Sequence, residues 1–375
     1  MLLVKKGTIQ LPLHPGHAPH WLVKRMEKLS YAISKLIVDE HGPHDFMRRM
    51  SDPLWFQAFG CVLGFDWHSS GLTTVVTGVL KQALKPDVHR VMLAGGKGRK
   101  AVNAKNDIAS ACEAFNLSDS KLNELQYASR ISAKVDNAAV QDGYTLYHHT
   151  MLIAEDGSWS VAQQGMNPDT RMARRYHWIA DSIESLVNEP HSGIISDSVN
   201  VHALDMTSRL SEECRKTCVD IVNSNPSNVI SSVQRLPVKN SLDQWVGSQP
   251  SNVEAYSMPW KLDWDLFRRV YDVKPRNYEE LIAIKGVGPA AVRALTLVAE
   301  LVYGARPSWK DPVKFSFAHG GKDGVPYPVD RRTYDKSVKI LMDAIEGAEI
   351  ERETRLKSLR RLALYSQTLF PNQLA

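Results

Sequence analysis

The chain has 375 residues, 43% of them hydrophobic and 23% charged, with a formal net charge of +5. That length suits two domains better than one, and either could bury a sizeable core. No apolar run approaches the roughly 18 residues of a transmembrane helix, and Met1 to Lys6 lacks the long apolar stretch of a secretory signal. Cys61, Cys112, Cys214 and Cys218 show no C-x-x-C spacing, and Cys214 and Cys218 stand one helical turn apart, a packing pattern more often than a metal or disulfide pattern. The expectation is a soluble, cytoplasmic protein with reduced thiols and no membrane partner.

Helical spacing runs through residues 21–40 (Leu22, Met26, Leu29, Ile33, Leu36, Ile37). A second helix is expected from Gly71 to Leu84, and a short buried strand from Val88 to Leu93 leads into Ala94-Gly95-Gly96-Lys97-Gly98-Arg99-Lys100. Ser118 to Val135 reads as a helix capped by Ser118. Tyr144 to Ala154 and Ser158 to Gln163 flank Glu155-Asp156-Gly157, the signature of a β-hairpin. Helices are expected at 171–187 and 206–223. Residues 224–260, rich in Ser, Asn, Pro and Gln, read as a linker or long surface loop. The division is therefore an α+β part at 1–223 holding the β-hairpin, a linker at 224–260, and a mostly helical part at 261–375.

That last part holds Leu281-Ile282-Ala283-Ile284-Lys285-Gly286-Val287-Gly288-Pro289-Ala290-Ala291-Val292-Arg293, a helix, a glycine turn and a second helix. Gly286 and Gly288 can adopt backbone angles closed to other residues, and Pro289 suits a first helical position, where its missing N–H costs nothing. The turn's amides and the start of the next helix would form a site for a phosphate oxygen. The stretch resembles a helix-hairpin-helix element, which implies sequence-independent contact with the DNA backbone through Lys285, Gly286, Gly288 and Arg293. Residues 261–375 carry 20 Lys/Arg against 15 Asp/Glu, so the whole charge excess lies there. A basic segment around a phosphate clamp is the electrostatic footprint of nucleic-acid binding.

Five other clusters could carry chemistry. His14, His17 and His20 lie in a proline-broken segment and could chelate a transition metal. Asp66-Trp67-His68-Ser69-Ser70 precedes a helix, where a carboxylate and an imidazole could hold a divalent ion or the helix start an anion; the plainer alternative is a serine cap. Lys97, Arg99 and Lys100 stand among glycines that free the backbone to wrap a nucleic-acid phosphate, but the full P-loop pattern is missing. His148 and His149 must point to opposite faces of their strand, so one can be buried while the other reaches a site. The polar stretch from Phe317 to Arg332 offers Tyr327, Arg331 and Arg332 for phosphate or base-stacking contacts.

Leu11-Pro12-Leu13-His14, Asp52-Pro53-Leu54-Trp55-Phe56-Gln57, Phe65 to Gly71, Ala94 to Gly98 and Tyr327-Pro328-Val329-Asp330-Arg331 together resemble a prokaryotic, largely archaeal family, domain of unknown function number 763. That resemblance covers nearly the whole chain and implies no reaction. Val329-Asp330 opening a helix after a G-V-G hairpin is also similar to the helix-hairpin-helix DNA glycosylases, which implies Asp330 as an alternative catalytic residue. The chain departs from that pattern at Ala290, where bifunctional members carry Lys, and in a hairpin-to-Asp interval about double theirs.

The resulting expectation is a DNA-binding enzyme of repair or recombination, a metal-dependent nuclease. Asp66 and His68, with His14, His17, His148 or His149, would surround Mg²⁺ or Mn²⁺, and the metal would activate water against a phosphodiester. The alternatives are a monofunctional glycosylase using Asp330, and a DNA-binding protein without catalysis. The partner is duplex DNA held by its backbone, and a homodimer is compatible with the sequence.

Overall fold

The computed structural model describes residues 20–65, 70–196, 199–200, 202–224, 262–313, 315–316 and 331–369, with positions 227, 231 and 259. Its centre is a six-stranded sheet in the order β1-β3-β4-β5-β6-β8. The strands are β1 (Val91–Lys97), β3 (Thr145–Ala154), β4 (Trp159–Asn167), β5 (Met172–Ile179), β6 (His191–Ser196) and β8 (Phe315–Ser316), while β2 (Val140–Gln141) and β7 (Leu204–Asp205) pair separately. The five strands from β1 to β6 are antiparallel neighbours, and β8 joins β6 in parallel.

Both faces of this sheet are covered, which alternate residues of each strand make possible. Val91, Leu93, Leu152, Ala154 and Ala173 share one apolar cluster with α1 (His20–Met50), α2 (Pro53–Leu63), α3 (Gly71–Ala83) and the two C-terminal helices Arg331–Gly347 and Arg352–Leu369. Ala94, Met151, Ile153, Val161 and Trp178 share the other with α6 (Ala104–Ala114), α7 (Asp119–Lys134) and α8 (Glu212–Asn223). The short α4 (Pro86–His89) and α5 (Arg99–Val102) flank β1. The same second cluster includes α9 (Trp264–Val273), α10 (Tyr278–Ala283) and α11 (Pro289–Tyr303). Residues on both sides of 224–260 thus contribute to one core. No described helix is long and apolar enough to cross a membrane.

The capped helix beginning at Ser118 is present, with the Ser118 hydroxyl accepting from the Lys121 amide at 3.2 Å. The hairpin at 155–157 is present, and Gly157 turns it at φ +79°. The strand expected at Val88–Leu93 runs instead from Val91 to Lys97, after the α4 turn that holds Val88 and His89. Two further expectations need correction. Residues 171–187 begin as β5, not as a helix, because the polar residues that masked its alternation are buried: Arg174, Arg175 and His177 are all fully enclosed. Arg174 is held by Asp142 at 2.7 Å and, through both terminal nitrogens, by Asp311 at 2.9 and 2.8 Å. The expected helix at 206–223 starts only at Glu212, after a short 3-10 turn.

Candidate functional site

The glycine turn sits between α10 and α11 and is bolted to α7. Lys134, at the last turn of α7, donates to the carbonyls of Ile284 (3.2 Å) and Val287 (2.5 Å). Gln141 donates to the Pro289 carbonyl and accepts from Arg293, while the Tyr127 hydroxyl donates to Glu279 at 2.8 Å. With its carbonyls taken by Lys134, the turn keeps the amides of Gly286, Gly288, Ala290 and Ala291 without an acceptor among the described residues. Gly286 carries the left-handed backbone, φ +99°, and Lys285 beside it is exposed. Gly288 is extended (φ −132°, ψ −168°), open to other residues, so the expectation that both glycines need forbidden angles holds at Gly286 alone. Pro289 does open the following helix.

Lys134 also lines a cleft of about 950 Å³ between α5, α6, α7 and the start of β3. Lys105 and Arg130 line it too, with Asn123, Gln126 and Asn137, and no described carboxylate does. Burial and the neighbouring Arg130 charge press the Lys134 ammonium below its usual range. At the rim, Gly98 donates its amide to Tyr147 and Lys97 lies over the Tyr147 ring. Gly95, Gly96 and Gly98 all have positive φ, and a side chain at Gly95 would meet the His149 carbonyl oxygen at 2.3 Å. The glycine run therefore lets the edge strand close tightly on β3 and present Lys97, Arg99 and Lys100 to solvent.

Ser129 and His149 stand at the wall of this cleft, 7% and 6% exposed. Ser129 Oγ lies 2.7 Å from His149 Nε2, and His149 Nδ1 lies 2.9 Å from Gln163 Oε1. Gln163 Nε2 donates to Asp136 Oδ2 at 2.6 Å, the same oxygen that accepts from Trp178 Nε1 at 2.9 Å. Indole N–H is a donor only, so that oxygen is an acceptor and the Gln163 amide must turn its NH₂ toward it. The Gln163 oxygen then faces His149, whose Nδ1 carries the proton, leaving the Nε2 lone pair for the serine hydroxyl. Burial lowers the His149 pKa and keeps the ring neutral, against the opposing pull of its bond to Gln163. Asp136 is fully buried, which raises its pKa, and His191 Nε2 reaches its other oxygen at 2.5 Å. It lies on a single π-helical turn, Val135–Ala139, that ends α7. Such turns are rare and recur at functional sites.

His148 points away from this chain, to Thr77 of α3 at 3.0 Å, as strand alternation requires. Burial, with the adjacent His149 and Lys97 adding to it, pushes its pKa down to about 3. Both histidines are buried and both border the cleft, but the His148 ring turns away to Thr77 while the His149 ring meets Ser129. They cannot ligate one metal ion jointly from opposite faces. Among the described residues no group of three or more His, Cys, Asp or Glu is placed to hold a metal ion. Asp66, His68, His14, His17 and Asp330 lie outside the described residues, as do the side chains of Arg331 and Arg332 at the start of their helix. Arg293 is half-buried, bonded to Gln141 and lying over the Trp309 ring, so it braces the hairpin from inside. Sequence reasoning missed Ser129, Gln163 as an orienting group, Asp136, Lys105, Arg130 and Lys134. The one available signal was the strand arithmetic that sets His149 across from Gln163.

The family described as Protein of unknown function (DUF763) matches residues 7–329. The chain belongs to it. No curated protein and no solved structure matches the chain. The match takes in the glycine run of β1, the Ser129–His149 pair and the α10–α11 turn.

Proposed function

We propose that this chain binds DNA by its phosphate backbone, through a helix-hairpin-helix element and the adjoining cleft, and processes the bound strand. The observation that carries this reading is the double role of Lys134, which holds the turn's carbonyls and lines a cleft with three cations and no described carboxylate. The turn's unpaired amides and the Lys105, Arg130 and Lys134 side chains are donors, which suits a phosphate. Lys97, Arg99, Lys100 and Lys285 add exposed cations. Hydrolysis of a phosphodiester is the reaction that suits these surroundings.

Fluorescence anisotropy with a labelled duplex tests it. Affinity should fall steeply with salt, as released counterions drive binding. Lys285→Glu should lower the salt slope by about 1 or more. Gly286→Val should weaken binding more than Gly288→Val does, since only Gly286 has a positive φ. Absent or salt-independent binding overturns the reading. Product analysis with and without EDTA then distinguishes a Mg²⁺ or Mn²⁺ route through Asp66 and His68 from metal-independent cleavage.

A further inference from the structure

We infer that Ser129 and His149 form a nucleophile–base pair acting on a phosphate ester held in the 950 Å³ cleft. A serine hydroxyl is a poor nucleophile until a positioned base takes its proton, and the sign of that arrangement is a base oriented in turn by a third group. Ser129, His149 and Gln163 meet this at 2.7 and 2.9 Å, and the Asp136–Trp178 contact fixes the Gln163 amide in the required sense. Three points go beyond a buried histidine that is merely satisfied. Ser129 and His149 both line the 950 Å³ cleft. Their tautomer leaves the Nε2 lone pair on the serine side. Lys105, Arg130 and Lys134 line the same cleft, where they would offset charge growing on phosphoryl oxygens.

In the first step, Ser129 Oγ forms a bond to phosphorus while its proton moves to His149 Nε2. The bond from phosphorus to the leaving oxygen breaks, and that oxygen takes the proton from Nε2. In the second step, water attacks the phosphoseryl group and gives a proton to His149. The Oγ–phosphorus bond then breaks, Oγ recovers the proton, and a phosphomonoester leaves. Water is the only co-reactant. Because Ser129 is almost enclosed, the substrate must offer a slender phosphodiester, such as one in a single-stranded segment or beside a strand end. The cleft volume suits a nucleotide-sized group. The nucleic-acid source of that ester rests on the reading above; the Ser129–His149 chemistry does not.

The test uses the full chain with a fluorophosphonate probe, followed by peptide mass mapping, and bis(4-nitrophenyl) phosphate as a chromogenic diester. One adduct on Ser129 is expected, absent in Ser129→Ala. In His149→Gln labelling should slow by about 100-fold or more, the usual contribution of a positioned base. Ser129→Ala should also abolish diester turnover, and Gln163→Glu should keep labelling while shifting its pH profile. Thermal melts confirm that each variant is folded, and Gln163→Glu serves if His149→Gln is not. An unlabelled Ser129 in folded protein overturns the inference, as does labelling that ignores His149. DNA anisotropy on the wild-type protein separates the two claims. Labelling without DNA binding sinks only the DNA reading, and DNA binding without labelling sinks only this one.

Discussion

His148 and His149 are neighbours in sequence and both are buried, yet they meet opposite environments. On the α3 side, His148 bonds only to Thr77, and its Nδ1 has no partner among the described residues. On the α7 side, His149 has both nitrogens committed in a chain running from Asp136 through Gln163 to a serine at a cleft wall. The first arrangement is a core polar group held at one ring nitrogen by a threonine of α3. The second is directional, because every donor and acceptor in it is fixed by the next. Burial alone therefore does not tell the two histidines apart; the direction of their hydrogen bonds does.

The largest test of that contrast is Asp136→Ala. It would leave Trp178, His191 and Gln163 facing a cavity in place of a carboxylate, and should cost about 3 kcal/mol or more in urea unfolding, since each buried group left without its partner costs about 1–3 kcal/mol. A loss under about 1 kcal/mol would mean that the chain is not a coupled network.

The pH dependence of stability gives a medium effect from the other face. The folded pKa of His148, about 3, lies below the unfolded value near 6.5, so only the unfolded chain takes up the proton in between. The stability this preserves is full above about pH 6.5 and is lost as pH falls from there toward 3, by up to about 1.4 kcal/mol per unit. Between pH 6.5 and 5, the wild type should therefore lose about 2 kcal/mol more than His148→Gln does. Buried Asp136, Asp52 and Asp205, whose pKa values burial raises, push the other way, so the difference between variants is the quantity to read. Equal slopes in the two proteins would show that His148 is charged in the fold.

Thr77→Val should have the smallest effect, about 1–2 kcal/mol, since its hydroxyl bonds both His148 and the Thr73 carbonyl, and should leave Ser129 labelling untouched. A change in labelling would show that the two faces communicate and would remove the contrast.

Much of the local architecture was legible in the sequence. Ser118 capped its helix, Gly157 turned its hairpin, and Pro289 opened the helix after the glycine turn, because each depends on the conformational habits of one or two residues. Strand alternation alone required His148 and His149 to part. What the sequence could not disclose depended on distant partners. Strand β5 was hidden because Arg174 and Arg175 read as surface residues until the fold supplied Asp142 and Asp311 for one, and Gln57 and His177 for the other. Ser129 and His149 lie twenty residues apart on different elements. Neither has a distinguishing neighbour, and only the packing of α7 on the sheet sets hydroxyl against imidazole. Local propensity is written residue by residue, but a site made of charge, tautomer and distance exists only once the layers have closed.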